Sequence, residues 1–194
     1  MAIVLDLLGS VLVAGYVIVL GLRMNMTMSA TTSASMTNVN IQEAMVTTTA
    51  SIESDLKKMG YGLADPSTAI AIGDSNRIRF RADMKPFGSI DSVEWYVGSR
   101  LAKYTDRDVR ILYRKANNGT AAIAAIGVTR FNLKYLDQNG TITSDMAQVS
   151  MIEMTLAISS LYKVADQLKS DTTDYVTTQW RLGRLSVRNI VRHG

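Results

Sequence analysis

The apolar stretch at residues 3–22 constrains this chain more than any other part of its sequence. Apart from three glycines and Ser10, the stretch is almost wholly apolar, and it contains one acid, Asp6, near its start. A helix rises about 1.5 Å per residue, so the stretch forms a rod of about 30 Å, which matches the hydrocarbon thickness of a bilayer. The sequence therefore predicts a membrane-competent helix at the N-terminus.

The stretch differs from a cleaved secretory signal peptide, which has a basic start, a shorter apolar core and a small-residue cleavage site. We therefore expect it to be retained. An ordinary single-pass anchor is the alternative interpretation, and Asp6 argues against it. An ionised carboxylate costs roughly 2.5 to 3.5 kcal/mol in the middle of a membrane helix and less near its end, so Asp6 needs a neutralising partner or has to reach the headgroups.

Two features of the N-terminal half bear on helix packing. Gly9, Gly15 and Gly21 recur every six residues. Glycine lowers helix propensity by about 1 kcal/mol where it is not packed closely, so these positions favour close helix approach or local unwinding. Residues 23–40 are rich in Met, Ser, Thr, Asn and Ala, and we expect a helix there only with support from neighbours.

A helical period becomes clear from residue 41. Apolar residues at three- and four-residue steps form one stripe, completed by Thr49: Ile41, Met45, Ile52, Leu56 and Met59. The charged residues are expected off this stripe: Glu43, Glu53, Asp55, Lys57 and Lys58. Gly60 and Gly62, followed by Asp65 and Pro66, predict a helix end near Met59. A helix from residue 3 to 59 would be about 85 Å long, so its first half needs partners outside its own chain.

The period changes to two after Pro66. In residues 77–84 one face carries Ile78, Phe80, Ala82 and Met84, and the other carries Arg77, Arg79, Arg81 and Asp83. Further strands are predicted at residues 93–97, 109–113, 128–135, 149–158 and 175–191, with a short helix within 161–173. Turns are predicted at Asn117-Asn118-Gly119 and at residues 137–140.

These patterns predict an α+β fold in which a long N-terminal α-helix packs on an antiparallel β-sheet head. The expected domains are a helix at residues 1–59 and a globular head at residues 60–194. Within the helix we expect a membrane or filament-core stalk at residues 1–28 and an amphipathic half at residues 41–59.

Composition and motifs argue against enzymatic chemistry. The chain has no cysteine, so it lacks disulfides, thiol nucleophiles and thiolate metal sites. Its single histidine, His193, has no second histidine for acid-base or metal chemistry. There is no P-loop, dinucleotide fingerprint or nucleophile elbow. We expect no enzyme, no catalytic residues, no cofactor and no metal.

The order of parts resembles the type IV pilin and pseudopilin family. Residues 5–8, around Asp6, are similar to the family's apolar start with an early acid. Residues 42–62 are similar to the end of the long helix in the larger minor-pilin subfamily, where an Asp-Leu-Lys or Asp-Leu-Arg run leads into Met-Gly-Tyr-Gly. Residues 184–189 resemble the closing strand of that subfamily.

The chain also departs from the family pattern. The family usually carries glutamate where this chain has Asp6, and the usual spacing is restored by counting from Ala2 instead of Met1. Family members are made with a short basic leader that is removed before N-methylation, so the mature first residue stays open. The proline near the end of the apolar segment and the C-terminal cysteine pair are missing, so no kink or disulfide-bounded loop is expected.

The resemblance implies a structural subunit of an extracellular type IV pilus-like filament, a fimbrium of the kind used in adhesion and motility, with an inner-membrane precursor. It implies that Asp6 pairs with the N-terminal amine, on Met1 or Ala2, of a neighbouring subunit. Its partners would be copies of itself and other pilins. Two alternatives stay open: a minor pilin or secretion-system pseudopilin that primes or caps a filament, and a single-pass anchored adhesin or binding head.

Two head motifs suggest weaker binding hypotheses. Arg77, Arg79 and Arg81 form a basic stripe that could bind DNA or an acidic surface, but no aromatic residues interleave for base stacking, so a solvated face or an intersubunit contact is favoured. The net charge of +4 is modest and does not force nucleic-acid binding. Residues 137–145 resemble a calcium loop superficially, and a hairpin turn explains them better.

Overall fold

The fold consists of one long helix followed by an antiparallel sheet. The computed structural model describes residues 2–84, 89–104, 106–165 and 173–186. The helix α1 (Ala2–Lys58) runs without interruption. The strands described are β1 (Ile70–Asp74), β2 (Arg77–Asp83), β3 (Ile90–Val97), β4 (Arg110–Ala116), β5 (Ala122–Leu136), β6 (Met151–Ser159), β7 (Val164–Ala165), β8 (Thr173–Asp174) and β9 (Thr177–Ser186). This architecture confirms the predicted α+β fold class.

Seven strands form the main sheet, in the order β1-β2-β3-β4-β5-β6-β9, and the neighbouring strands are antiparallel. β7 and β8 form a separate two-stranded sheet. Short 3-10 helices lie at Pro66–Thr68 and Met146–Gln148. The chain follows a meander from β1 to β6, so each strand pairs with the next, and β9 then closes the far edge of the described sheet.

The helix ends where the sequence predicts. Gly60 and Gly62 have φ angles of 79° and 77°, in the left-handed region that favours glycine. The turn they make places the chain beside β2, where the Gly60 N–H donates to the Arg81 carbonyl at 3.0 Å and the Asp83 N–H donates to the Tyr61 carbonyl at 2.8 Å. The end of α1 is therefore hydrogen-bonded directly to the sheet.

The second half of α1 supplies one side of the core. All the residues of the predicted stripe are buried: Ile41, Met45, Thr49, Ile52, Leu56 and Met59. On β2, Ile78, Phe80 and Ala82 are fully buried, which confirms the predicted alternation of that strand. Burying a large apolar side chain contributes about 1.5 to 3 kcal/mol, so this contact between stripe and sheet stabilises the head substantially.

The main sheet curls so that the β1–β2 turn meets β5. The first part of β5 pairs with β4, and its later residues are covered by that turn. The Leu133 N–H donates to the Ser75 carbonyl at 2.7 Å, and the Tyr135 hydroxyl donates to the Asp74 carbonyl at 2.9 Å. Burial raises the pKa of Tyr135, and the Asp74 charge adds to the shift. The turn thus covers backbone groups that β4 leaves unpaired.

Two sequence predictions on secondary structure were wrong or incomplete. β1 was not predicted, because five residues around Gly73 show too little alternation. A Cβ at Gly73 would collide with the Met146 side chain, so glycine permits the close approach there. A short helix was expected within residues 161–173, whereas 164–165 form β7, and residues 166–172 lie outside those described. The last predicted strand is observed as β9, and residues 187–191 also lie outside those described.

Residues 23–40 are helical, although neighbours support them little. Ala34 is the one buried residue of this segment. The hydroxyls of Thr27 and Thr37 donate to the carbonyls of Arg23 and Ser33, each at 2.9 Å, so these side chains bond within the helix. The expectation that this segment needs neighbours was wrong for the single chain.

Candidate functional site

The stalk of α1, residues 3–28, is exposed along its whole length. α1 is long and apolar enough to cross a membrane, and no part of its most apolar 18-residue stretch is buried. The exposed side chains include large apolar ones such as Ile3, Leu12 and Ile18. An apolar surface of this extent marks a contact with lipid or with other protein.

Asp6 lies on this exposed stalk, one turn after the start of the helix at Ala2. Within the described residues no cation lies within 4 Å of its carboxylate. The Ser10 hydroxyl donates to the backbone carbonyl of Asp6 at 2.8 Å, so this hydrogen bond does not involve the side-chain carboxylate. Met1, the other residue expected in the pairing, lies outside the described residues.

The three stalk glycines have no role in packing the head. A Cβ built on Gly9, Gly15 or Gly21 meets nothing within 4 Å, and the helix continues through all three. The described chain shows no unwinding at these positions. Close approach of a second helix is left as the use of these glycines that is consistent with the single-chain structure.

A buried acid joins α1 to the sheet, and the sequence interpretation missed it. Asp55 was expected off the apolar stripe, but this residue is only 6% exposed. Its carboxylate accepts hydrogen bonds from Trp95 Nε1 at 2.9 Å and from Arg114 Nε and Nη2 at 2.6 and 3.1 Å. The hydrogen bond with Asp55 raises the pKa of Arg114. The expectation was wrong because the ion pair with Arg114 and the hydrogen bond from Trp95 offset the free-energy cost of burying this charge.

A sequence signal for this site existed on the sheet. Trp95 pairs with Arg114 across β3 and β4, and each lies two residues from a buried residue of the same strand face, Val93 for Trp95 and Leu112 for Arg114. An arginine in the buried register of a strand requires an acid opposite it. Since α1 covers that face, an acid on the helix was the missing partner.

The basic stripe on β2 faces outward as predicted, but two of its three arginines form ion pairs with a single acid. Glu94, which is buried on the neighbouring strand, accepts hydrogen bonds from Arg77 Nε and from Arg79 Nη2, the latter at 2.9 Å. Burial opposes the charge on Glu94, but the hydrogen bonds and charges of the two arginines outweigh it and lower its pKa. Arg81 forms no ion pair with the described residues. DNA binding by this stripe stays a prediction. Because Arg77 and Arg79 are paired with Glu94, the stripe has fewer unpaired cations than its sequence suggests.

A second cluster, which we call the Arg107 clamp, joins three parts of the head. The Arg107 guanidinium carbon lies 3.4 Å from the ring centroid of Tyr175 and 5.6 Å from that of Tyr104. Its Nη1 donates to the Ser159 hydroxyl at 2.7 Å, and its Nη2 donates to the Ser160 carbonyl. The clamp ties the β3–β4 loop to the end of β6 and to the segment before β9. No sequence motif indicated it, because its members are scattered along the chain.

Asp106 extends the clamp through the Tyr175 hydroxyl, which donates to its carboxylate at 2.7 Å. This hydrogen bond lowers the pKa of Asp106 and raises the pKa of Tyr175. A chain without cysteine thus holds its C-terminal segment to the head through stacking and hydrogen bonds.

The segment at residues 137–145 is a turn, as the sequence indicates. Asp137 Oδ1 accepts hydrogen bonds from the N–H groups of Asn139 and Thr141 at 2.8 and 2.9 Å, and Gly140 has a φ of 78°. Within the described residues no group of three or more His, Cys, Asp or Glu side chains could hold a metal ion. His193 lies outside those residues.

No protein-family model matches this chain, and a search of curated proteins gave no match. The resemblance to type IV pilins therefore stays an interpretation of the sequence.

Proposed function

We propose that this chain is a structural subunit of an extracellular type IV pilus-like filament, assembled through α1. The observation that carries the proposal is the division of one helix into two halves. Residues 41–59 pack their stripe on the sheet, whereas the stalk, residues 3–28, has no cover from its own chain. The stalk extends about 39 Å at 1.5 Å per residue, and an apolar rod of this length requires lipid or other helices around it.

Asp6 favours other helices over permanent residence in lipid. Its carboxylate has no cationic partner in the described chain, and an unpaired charge in hydrocarbon is costly. The N-terminal amine of a neighbouring subunit would neutralise it. The same contact would set the axial position of each new subunit against the one before it.

The stalk glycines support the same arrangement. Moving an apolar helix from lipid into a helix bundle gains little from the hydrophobic effect, because both environments are apolar. Close backbone packing at small residues then supplies the attraction, and Gly9, Gly15 and Gly21 are free for it. In this proposal the membrane holds the precursor, and the heads cover the outside of the filament at the cell surface.

The experiment is to shear cells that produce the chain, purify the released fibres, identify their subunits by mass spectrometry and image them. We expect this chain as a repeating component, with stalk helices in the fibre core. A minor pilin or pseudopilin would be found in trace amounts or in short stubs. Recovery of the chain solely with membranes would contradict the proposal and favour an anchored binding head.

A further inference from the structure

A polar groove of about 570 Å³ lies over the outward-facing residues of β5 and β6. Its floor includes Asn132 and Lys134 of β5 and Thr155 of β6, which alternate with buried residues of the same strands. Asn76, in the β1–β2 turn, borders it at one end and Gln179 of β9 at the other. Its volume falls within the range of pockets that hold small organic ligands.

The groove carries an excess of positive charge. Asp108 binds Arg110 through two hydrogen bonds of 2.9 and 2.8 Å, so this pair is satisfied internally. Glu153 lies opposite Lys134 in the register of β5 and β6, and its carboxylate is 3.4 Å from Arg184 and 3.8 Å from Arg181. The two remaining cations of the groove are Arg130 and Lys134, and neither forms an ion pair within 4 Å in the described part of the chain.

The spacing of these two cations constrains the size of the ligand. Arg130 and Lys134 share one face of β5 and are four residues apart, which is about 13 Å at the rise of a strand. This backbone spacing suits a ligand of similar length better than a single phosphate or sulfate ion. An extended ligand with acid groups along its length is long enough to contact both.

Uncharged hydrogen-bonding groups fill the space between and around the cations. Asn132 lies between them and pairs with Thr155 across the strands. The side chains of Asn132, Thr155 and Gln179 form no hydrogen bonds with the described residues, so their donors and acceptors are open to a ligand. Amide and hydroxyl groups both donate and accept, which suits the hydroxyl groups of a sugar.

From this arrangement we propose that the groove binds an acidic oligosaccharide, with carboxylates at Arg130 and Lys134 and sugar hydroxyls between them. Single-stranded nucleic acid fits less well, because Phe131, the aromatic residue of the groove, is 8% exposed and offers no stacking surface. A protein partner fits less well too, since the apolar residues Val128 and Phe131 are buried and Val97 is half-buried, so the described lining exposes little apolar surface for an anchor.

The test uses the full chain in detergent micelles, so it does not depend on filament assembly. Binding of an oligogalacturonate is measured by titration calorimetry at low salt, beside a neutral galactose oligomer of the same length. We expect the acidic oligomer to bind about tenfold or more tightly, since hydrogen bonds to charged groups are stronger than neutral ones. The affinity should fall as salt is added.

Two variants separate the groove from the general charge of the head. The double variant Arg130→Gln/Lys134→Gln should weaken binding about tenfold or more. The matched control, Arg81→Gln/Lys115→Gln, removes two cations that form no ion pair with the described residues and lie outside the groove. At about 0.15 M salt it should change the affinity by about twofold at most, because charges more than about 8 Å from the ligand are then screened.

A third variant, Asn132→Ala/Thr155→Val, removes hydroxyl-binding groups without a change of charge and should also weaken binding. Equal loss in the first two double variants would overturn the proposal, as would equal binding of the neutral oligomer. Competition by inorganic phosphate at the concentration of the saccharide, or tighter binding of single-stranded DNA, would overturn it as well. Circular dichroism of each variant confirms that the head is folded.

Discussion

Asp55 of α1 accepts two hydrogen bonds from Arg114 of β4, at 2.6 and 3.1 Å, and this ion pair joins the helix to the inner face of the sheet. The hydrophobic contacts around it are non-directional, so they tolerate small shifts of the helix along the sheet. An ion pair with a third donor, Trp95, has one favourable geometry. We therefore expect the pair to determine where the exposed stalk leaves the head.

Removing this acid should destabilise the head. Asp55→Ala leaves Arg114 and the Trp95 indole without their shared acceptor, and the free energy of unfolding should fall by about 3 kcal/mol. Urea unfolding of the full chain in detergent, followed by tryptophan fluorescence, measures it. The control is Glu53→Ala, which removes an exposed pair with Lys57 and should cost less than about 0.5 kcal/mol. Equal effects of the two variants would contradict the role given to Asp55.

Glu94 should make stability depend on pH in the acidic range. Its pKa in the folded chain lies below the usual 4.5 of a glutamate, because hydrogen bonds from Arg79 and Arg77 outweigh the effect of burial. As pH falls, the unfolded chain therefore binds this proton first. The stabilisation is complete above the unfolded pKa and is lost as pH falls through the folded pKa.

The measurement is urea unfolding at several pH values from about 6 down to about 3, the range in which carboxylates titrate. Glu94→Gln should flatten the loss of stability relative to the unsubstituted chain. Glu43→Gln, which removes an exposed carboxylate of α1, should leave the slope unchanged. A wild-type slope in Glu94→Gln would exclude Glu94 as its source.

The Arg107 clamp should hold the segment before β9. Arg107→Lys loses the planar contact with Tyr175 and the paired donors to Ser159 and Ser160. The amides of Ser160 and Val176 should then exchange hydrogen about tenfold faster, through local opening. Lys103→Ala is the control, because its ammonium group lies 5.7 Å from an exposed ring, Tyr162. Unchanged exchange in Arg107→Lys would show that the clamp contributes nothing to local order.

The clamp should also weaken at high pH. The hydrogen bond to Asp106 raises the pKa of Tyr175 in the folded chain, so its stabilisation is present below the unfolded value, near 10, and is lost as pH rises through the folded value. Tyr175→Phe should remove the alkaline loss of protection at the Val176 amide, measured as its exchange rate relative to the base-catalysed rate of an unfolded peptide. Persistence of the same dependence in Tyr175→Phe would assign it to another group.

Asp6→Ala should leave membrane insertion intact and reduce the yield of sheared filaments to background. Without the carboxylate, the stalk is more apolar and an incoming subunit has no acid to pair with the neighbouring amine. Asp6→Glu is the matched control and should assemble, since it keeps the charge one methylene further out. A normal filament yield from Asp6→Ala would refute the pairing.

Gly15→Leu should separate folding from assembly. A Cβ at this position meets nothing within 4 Å, so the stability of the head should be unchanged, and helix propensity improves by about 1 kcal/mol. A bulky side chain prevents close helix approach, so filament yield should drop sharply. Gly15→Ala is the milder control. Unfolding curves and filament yield are measured on the same preparations, and normal assembly of Gly15→Leu would rule out close packing there.

Periodic patterns within the sequence determined the outline of this fold. The apolar run at residues 3–22, the stripe ending at Met59, the glycine stop at Gly60 and the alternation of β2 were all confirmed in type and position. Each of these is a property of consecutive residues, because helix and strand periods place neighbours in sequence on defined faces. The same reasoning identified the outward arginines of β2, although it did not indicate the acid that neutralises two of them.

Tertiary structure alone decided the contacts between distant residues. Asp55 and Arg114 are 59 residues apart, and Tyr175 lies 69 residues from Asp106. Nothing in the sequence distinguishes Arg130 and Lys134 from other charged residues, and only the fold places them in one groove. A charge on an amphipathic stretch has no local signal that says whether it will be paired, because its environment depends on which strand the chain brings opposite it. That choice depends on how the curled sheet packs against α1.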